Sequence, residues 1–144
     1  MKVSPERCPR YSEVEPGFEL PPLKLEPLNR TVLALYAGAS GDHNQVHIDL
    51  DFARKSRQPD VFAHGMLSAA YLGRLLTQWV PQSQVRGLSM RFVGITQLGH
   101  VPHLSGRVVE KFEADGEKRV RLHIQCLNQY GDPRLMGEAV VALA

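Results

Sequence analysis

Residues Gly65–Trp79, GMLSAAYLGRLLTQW, decide the fold. Met66, Leu67, Ala69, Ala70, Leu72, Leu75, Leu76 and Trp79 recur at helical spacing and leave only a narrow polar stripe of Ser68, Arg74, Thr77 and Gln78. A helix this apolar is buried on nearly every side. At about 1.5 Å per residue it runs roughly 22 Å, long enough to lie across a whole sheet. Pro81 follows and stops it.

Downstream the period changes from 3.6 to two. In Lys118–Cys126, Val120, Leu122, Ile124 and Cys126 alternate with Arg119, Arg121, His123 and Gln125, the pattern of a half-buried antiparallel strand. Turn signals at Asp115-Gly116 and Gly131-Asp132 divide the region into strands near 85–95, 103–114, 117–128 and 134–143. Upstream, Asn29 caps a short helix carrying Val32, Leu33, Leu35 and Tyr36, and Asp49 caps a second over Asp51–Arg57. Six of the ten prolines lie in the first 27 residues, so residues 1–17 read as a poorly ordered arm. An irregular strand over Phe18–Pro27 then leads into one domain, residues 18–144. The order of strand, helices, then a meander gives an α+β fold with an antiparallel sheet wrapped around one long buried helix.

A chain of 144 residues with 43% apolar and 22% charged side chains is one ordinary globular domain, large enough to form a core without disulfides. Seventeen basic against fifteen acidic residues leave a formal charge of +2, too small to argue for a nucleic-acid or membrane partner. Cys8 and Cys126 form neither a disulfide framework nor a metal spacing. With no apolar run at the start and none of membrane-spanning length, the expectation is a cytoplasmic protein.

The chemistry-bearing segment is SGDHNQVHIDLDF, Ser40–Phe52, where Asp42, Asn44 and His47 fall within six residues. On a helix Asp42 and His47 would stand about 140° apart, but the preceding glycine and the lack of periodicity make this a loop. A folded-back loop brings a carboxylate and an imidazole onto one water, and their ordinary pKa values, near 3.9 and 6.5, let one be protonated while the other is not. Two other readings stand beside this: turn capping with a surface histidine, or a metal site from Asp42, His43, His47 or Asp49. Ala63-His64-Gly65 opens the long helix, whose first N–H groups have no intrahelical acceptor. An oxygen gaining charge could rest there, with Gly65 allowing close approach.

Tyr36-Ala-Gly-Ala-Ser40-Gly41-Asp42-His-Asn44-Gln-Val-His47, then Ala53 and Phe62-Ala-His64-Gly65-Met66-Leu67, resembles the hydratase motif of the MaoC-like family, which includes the (R)-specific enoyl-CoA hydratases. The likeness runs from about residue 28 to the end. It implies a hot-dog fold, a dimer, and reversible hydration of trans-2-enoyl thioesters of coenzyme A or acyl carrier protein to (R)-3-hydroxyacyl thioesters. It makes Asp42 and His47 the catalytic pair, with Asn44 and the N–H of Gly65 binding substrate, and calls for no cofactor and no metal. A serine of the family's acyl pocket aligns with Gly73, placing that residue beside the acyl tail.

The chain departs from the family at Gln45, where proline is usual, and at Gly94 and Gly99-His100. A non-catalytic acyl-binding subunit and a hot-dog thioesterase are the alternative functions. Arg54, Lys55 and Arg57 read as a solvated helix face, and Cys126 as packing.

Overall fold

The computed structural model describes residues 8–144. Its elements are β1 (Leu23–Lys24), α1 (Arg30–Ser40), α2 (Leu50–Lys55), α3 (Gly65–Thr77), β2 (Val85–Phe92), β3 (His103–Ala114), β4 (Glu117–Leu127) and β5 (Pro133–Ala142). One antiparallel sheet has the order β1-β3-β4-β5-β2 and packs its inner face on α3. The arrangement is a hot-dog fold. No helix among the described residues is long and apolar enough to cross a membrane.

Local chemistry accounts for the element ends. Asn29 Oδ1 accepts the N–H of Val32 at 2.9 Å, and Asp49 Oδ1 accepts those of Asp51 and Phe52, so each short helix starts on a side-chain cap. Gly41 ends α1 at φ 75, a left-handed position that glycine takes without steric cost. Asp115 and Gly116, at φ 51 and 72, make the two-residue turn that joins β3 to β4.

The main core lies between α3 and the sheet. Leu72, Leu75, Leu76 and Trp79 meet Val108, Val120, Leu122, Ile124, Leu135 and Val141. A second cluster, Leu28, Leu33, Ala53, Val61, Ala63 and Leu67, fastens α1, α2 and the start of α3 together. This second cluster carries the polar loop.

Three expectations change. The arm is not loose throughout: Val14 is fully buried, Tyr11 N–H bonds the carbonyl of Ala144, and Gly17 and Phe18 exchange hydrogen bonds with Val108. Apolar contact outweighs the proline content there, while Met1–Arg7 lie outside the described residues. The strand expected over Phe18–Pro27 is reduced to two residues and an isolated bridge from Glu19 to Arg107. On α3, Ser68 is buried, whereas Met66 and Ala70 face outward.

Candidate active site

The loop after α1 turns back over the start of α3. Asp42 Oδ1 accepts the N–H of Asn44 at 3.1 Å, and Asn44 Oδ1 accepts the N–H of Val46 at 3.2 Å. These two Asx turns shape the loop and start a single 3-10 turn, Gln45–His47. Asp42 and Asn44 are exposed, and His47 is half-buried. Asn44 thus has a loop-shaping contact of its own.

His47 is held on both sides. Its Nδ1–H donates to the carbonyl of Phe62 at 2.7 Å, which leaves Nε2 as the nitrogen available for chemistry. Its ring stacks on that of His64, with centroids 4.0 Å apart and planes at 29°, and meets Phe62 edge-on at 5.0 Å. His64 in turn lies edge-on to Tyr36 at 4.9 Å and donates Nε2–H to the carbonyl of Asp42 at 3.1 Å. Burial pushes the His47 imidazole below the usual histidine range. The Phe62 carbonyl opposes this, His64 adds to it, and the Asp42 charge opposes it. Burial, then the Asp42 charge, raises the Tyr36 phenol.

Asp42, His47 and His64 offer ligand atoms within 4.8 Å of one another, the donor count of a small cation site. The chemistry of the set fits an ion poorly. Stacked imidazoles send their in-plane lone pairs along nearly parallel planes, and each ring already gives one nitrogen to a backbone carbonyl. His43 and Asp49 are outside the group.

The start of α3 is anchored by Ala63 N–H on the carbonyl of Thr96 and by a bridge from Phe62 to Gln97. Phe62, Ala63 and Gly65 thereby share a cavity of about 320 Å³ with Phe92, Gly94, Ile95, Thr96 and Leu135. A Cβ on Gly65 would sit 2.8 Å from the Phe92 ring, so glycine is what lets that strand end approach the helix. Gly73 lies outside this cavity, half-buried on α3, and a Cβ there would meet nothing within 4 Å. A larger groove of about 700 Å³ lies on the outer face of the sheet, lined by Arg107, His123, Glu138 and Ser89 among others, away from the loop.

A family model described as the MaoC like domain matches residues 15–127. The chain belongs to the MaoC-like domain family. Among solved structures it is similar to the R-hydratase PhaJ1 of Pseudomonas aeruginosa. The two are 29% identical with a TM-score of 0.82, over 93% of this chain and 84% of that one. It is also similar to an (R)-hydratase of A. caviae involved in PHA biosynthesis, with 26% identity and a TM-score of 0.78 over 91% and 98% of the two chains. Among curated proteins it is 34% identical over 96 residues to fatty acid synthase subunit beta of Saccharomyces cerevisiae. That match takes 59% of this chain but 5% of the relative, so the chain corresponds to a small part of that protein's length.

The matched segment of the MaoC-like domain holds the loop, the start of α3 and the lining strand β2. Asp42, His47 and the segment that opens on Gly65 come together as the sequence motif implies. The sequence offers His64 only as part of a helix start, and the structure makes it the buried centre of the cluster, 1% exposed. A histidine at the cap position of an otherwise apolar helix was the available signal. His100 is half-buried and accepts the N–H of Gln97, a loop-shaping contact. Cys126 is buried, which raises its thiol to about 11 and leaves it unreactive.

Proposed function

We propose that this MaoC-like domain adds water across the C2=C3 bond of trans-2-enoyl thioesters and catalyses the reverse dehydration. The observation that carries the reading is the convergence of Asp42 with the free Nε2 side of His47, beside a helix opening on Gly65. The Asp42 carboxylate and His47 Nε2 hold the water. One of the pair takes a proton from the water as the oxygen attacks C3, and that proton is passed on to C2, so the pair ends in the protonation state in which it began. A histidine pushed down by burial is neutral at pH 7 and able to accept. The thioester oxygen becomes enolate-like and rests on the N–H of Gly65 at the positive end of α3.

Likeness to two (R)-hydratases supports this choice of reaction and an (R)-3-hydroxyacyl product. Coenzyme A or acyl carrier protein is the thiol carrier. The working form is a homodimer: β2 is an open edge of the sheet, and its Leu88 and Phe92 are 42% and 54% exposed.

Crotonyl-CoA tests the function. Loss of the conjugated enoyl absorbance without release of free thiol is the expected result. Thiol release would mean a thioesterase, and no change across a panel of enoyl chain lengths would mean a binding subunit. Sedimentation at low micromolar concentration checks the dimer; a fully active monomer would remove it.

A further inference from the structure

His64 presents an unbalanced account of hydrogen bonds. Its Nε2 faces the carbonyl of Asp42, which can only accept, so Nε2 carries the proton. Its Nδ1 is buried and has no partner among the described residues. In the imidazole whose N–H is Nε2, Nδ1 is the acceptor nitrogen. Nδ1 is therefore a bare lone pair that needs a donor.

One helical turn on, Ser68 is the mirror case. It is 1% exposed, and its Oγ too is buried without a partner among the described residues. His64 caps α3 in extended backbone, at φ -56 and ψ 133, and Ser68 lies in the first turn that it caps. A serine hydroxyl reoriented about χ1, or one enclosed water, can serve two such neighbouring groups. The titratable groups packed around His64 are Tyr36 from α1, Asp42 from the loop and His47 from the 3-10 turn, none of which is placed to donate to Nδ1.

We infer that Ser68 and His64 form a buried positioning relay: the Ser68 hydroxyl donates to His64 Nδ1, directly or through one enclosed water, and so holds Nε2–H on the Asp42 carbonyl. Asp42 is thereby fixed at its backbone, and the neutral His64 ring gives His47 a flat surface to stack on. The relay rests on the proposed hydratase reading only for its effect on turnover. Ser68 touches no substrate; it acts through His64.

Two measurements on the 144-residue chain test the relay. Nitrogen-15 NMR of the imidazoles at about pH 7 is expected to show His64 as the Nε2–H tautomer, with Nδ1 accepting a hydrogen bond. In Ser68→Ala this signature is expected to weaken to a mixed tautomer. Turnover should fall by about tenfold, the scale of one buried hydrogen bond, with KM nearly unchanged. Ser68→Thr keeps the hydroxyl and is expected to restore both readouts. A wild-type His64 that is Nδ1–H overturns the relay. So does a Ser68→Ala protein with unaltered His64 signals. The NMR arm needs no substrate, so a protein that fails to hydrate enoyl thioesters still decides the relay.

Discussion

The two halves of α3 are built to opposite rules. His64 caps its first turn and Ser68 lies within it, both buried with a polar atom that has no partner among the described residues, next to an exposed glycine and an exposed Met66. Its second half is Leu72, Leu75, Leu76 and the following Trp79, none more than 6% exposed. Burying polar groups costs free energy, whereas close-packed leucines supply it. The difference puts the stabilising contacts in the C-terminal half and the polar side chains of the proposed site in the N-terminal half.

The hardest test of that division removes the reacting groups. Asp42→Asn and His47→Gln are each expected to lower enoyl hydration by about 10² to 10⁴ with the melting temperature barely moved, because shape is kept and proton transfer lost. The double variant should be little slower than either single one. Near-normal turnover in both would end the assignment of the pair. At the other end of the helix, Leu76→Ala should cost about 2–5 kcal/mol in urea unfolding while the folded fraction keeps its turnover. A large loss of activity per folded molecule would dissolve the distinction between the halves.

Gly65 sits where the polar loop site meets the strand end at Phe92. Gly65→Ala drives a methyl into the Phe92 ring, and the expected loss in kcat/KM stays below the roughly 10²-fold of a missing donor, because the exposed ring can move. In a Phe92→Ala background the same change should be tolerated, which a double-mutant cycle reads directly.

The pH dependence of stability is a finer probe. The native pKa of His47 is lowered by burial, so between about 6.5 and that lower value the unfolded chain binds more protons than the native one. Stability is therefore complete above about pH 6.5 and declines as pH falls through it. His47→Gln should flatten part of that decline in urea midpoints, and His100, also lowered chiefly by burial, supplies the rest. The smallest effect is at Gly73, where Gly73→Ala meets open space and should stabilise the helix by up to about 1 kcal/mol. A changed acyl chain-length profile in Gly73→Leu would place that residue beside the substrate after all.

Much of this was legible in the sequence where periodicity or capping chemistry speaks. The alternation of Val120, Leu122, Ile124 and Cys126 gave β4 its buried face, and Asn29 and Asp49 announced their helices by cap chemistry. The approach of Asp42 to His47 was legible from the motif and its loop character. Ser68 was not, because polarity sorts residues onto solvent stripes and its burial follows from the packing of loop, α1 and sheet around the first turn. Val14 escaped for a related reason. Its neighbours read as a loose arm, and only the third dimension shows the sheet it covers.

The bond from His47 Nδ1 to the Phe62 carbonyl turns a two-ended base into a one-port device. With that nitrogen committed, a proton cannot pass through the ring to bulk solvent; it arrives and leaves at Nε2 alone. The ring also stacks on His64 and packs perpendicular to Phe62. In heavy water the proposed hydration is expected to deliver deuterium to a single face of C2, so the stereochemistry of labelling would record how the imidazole is held.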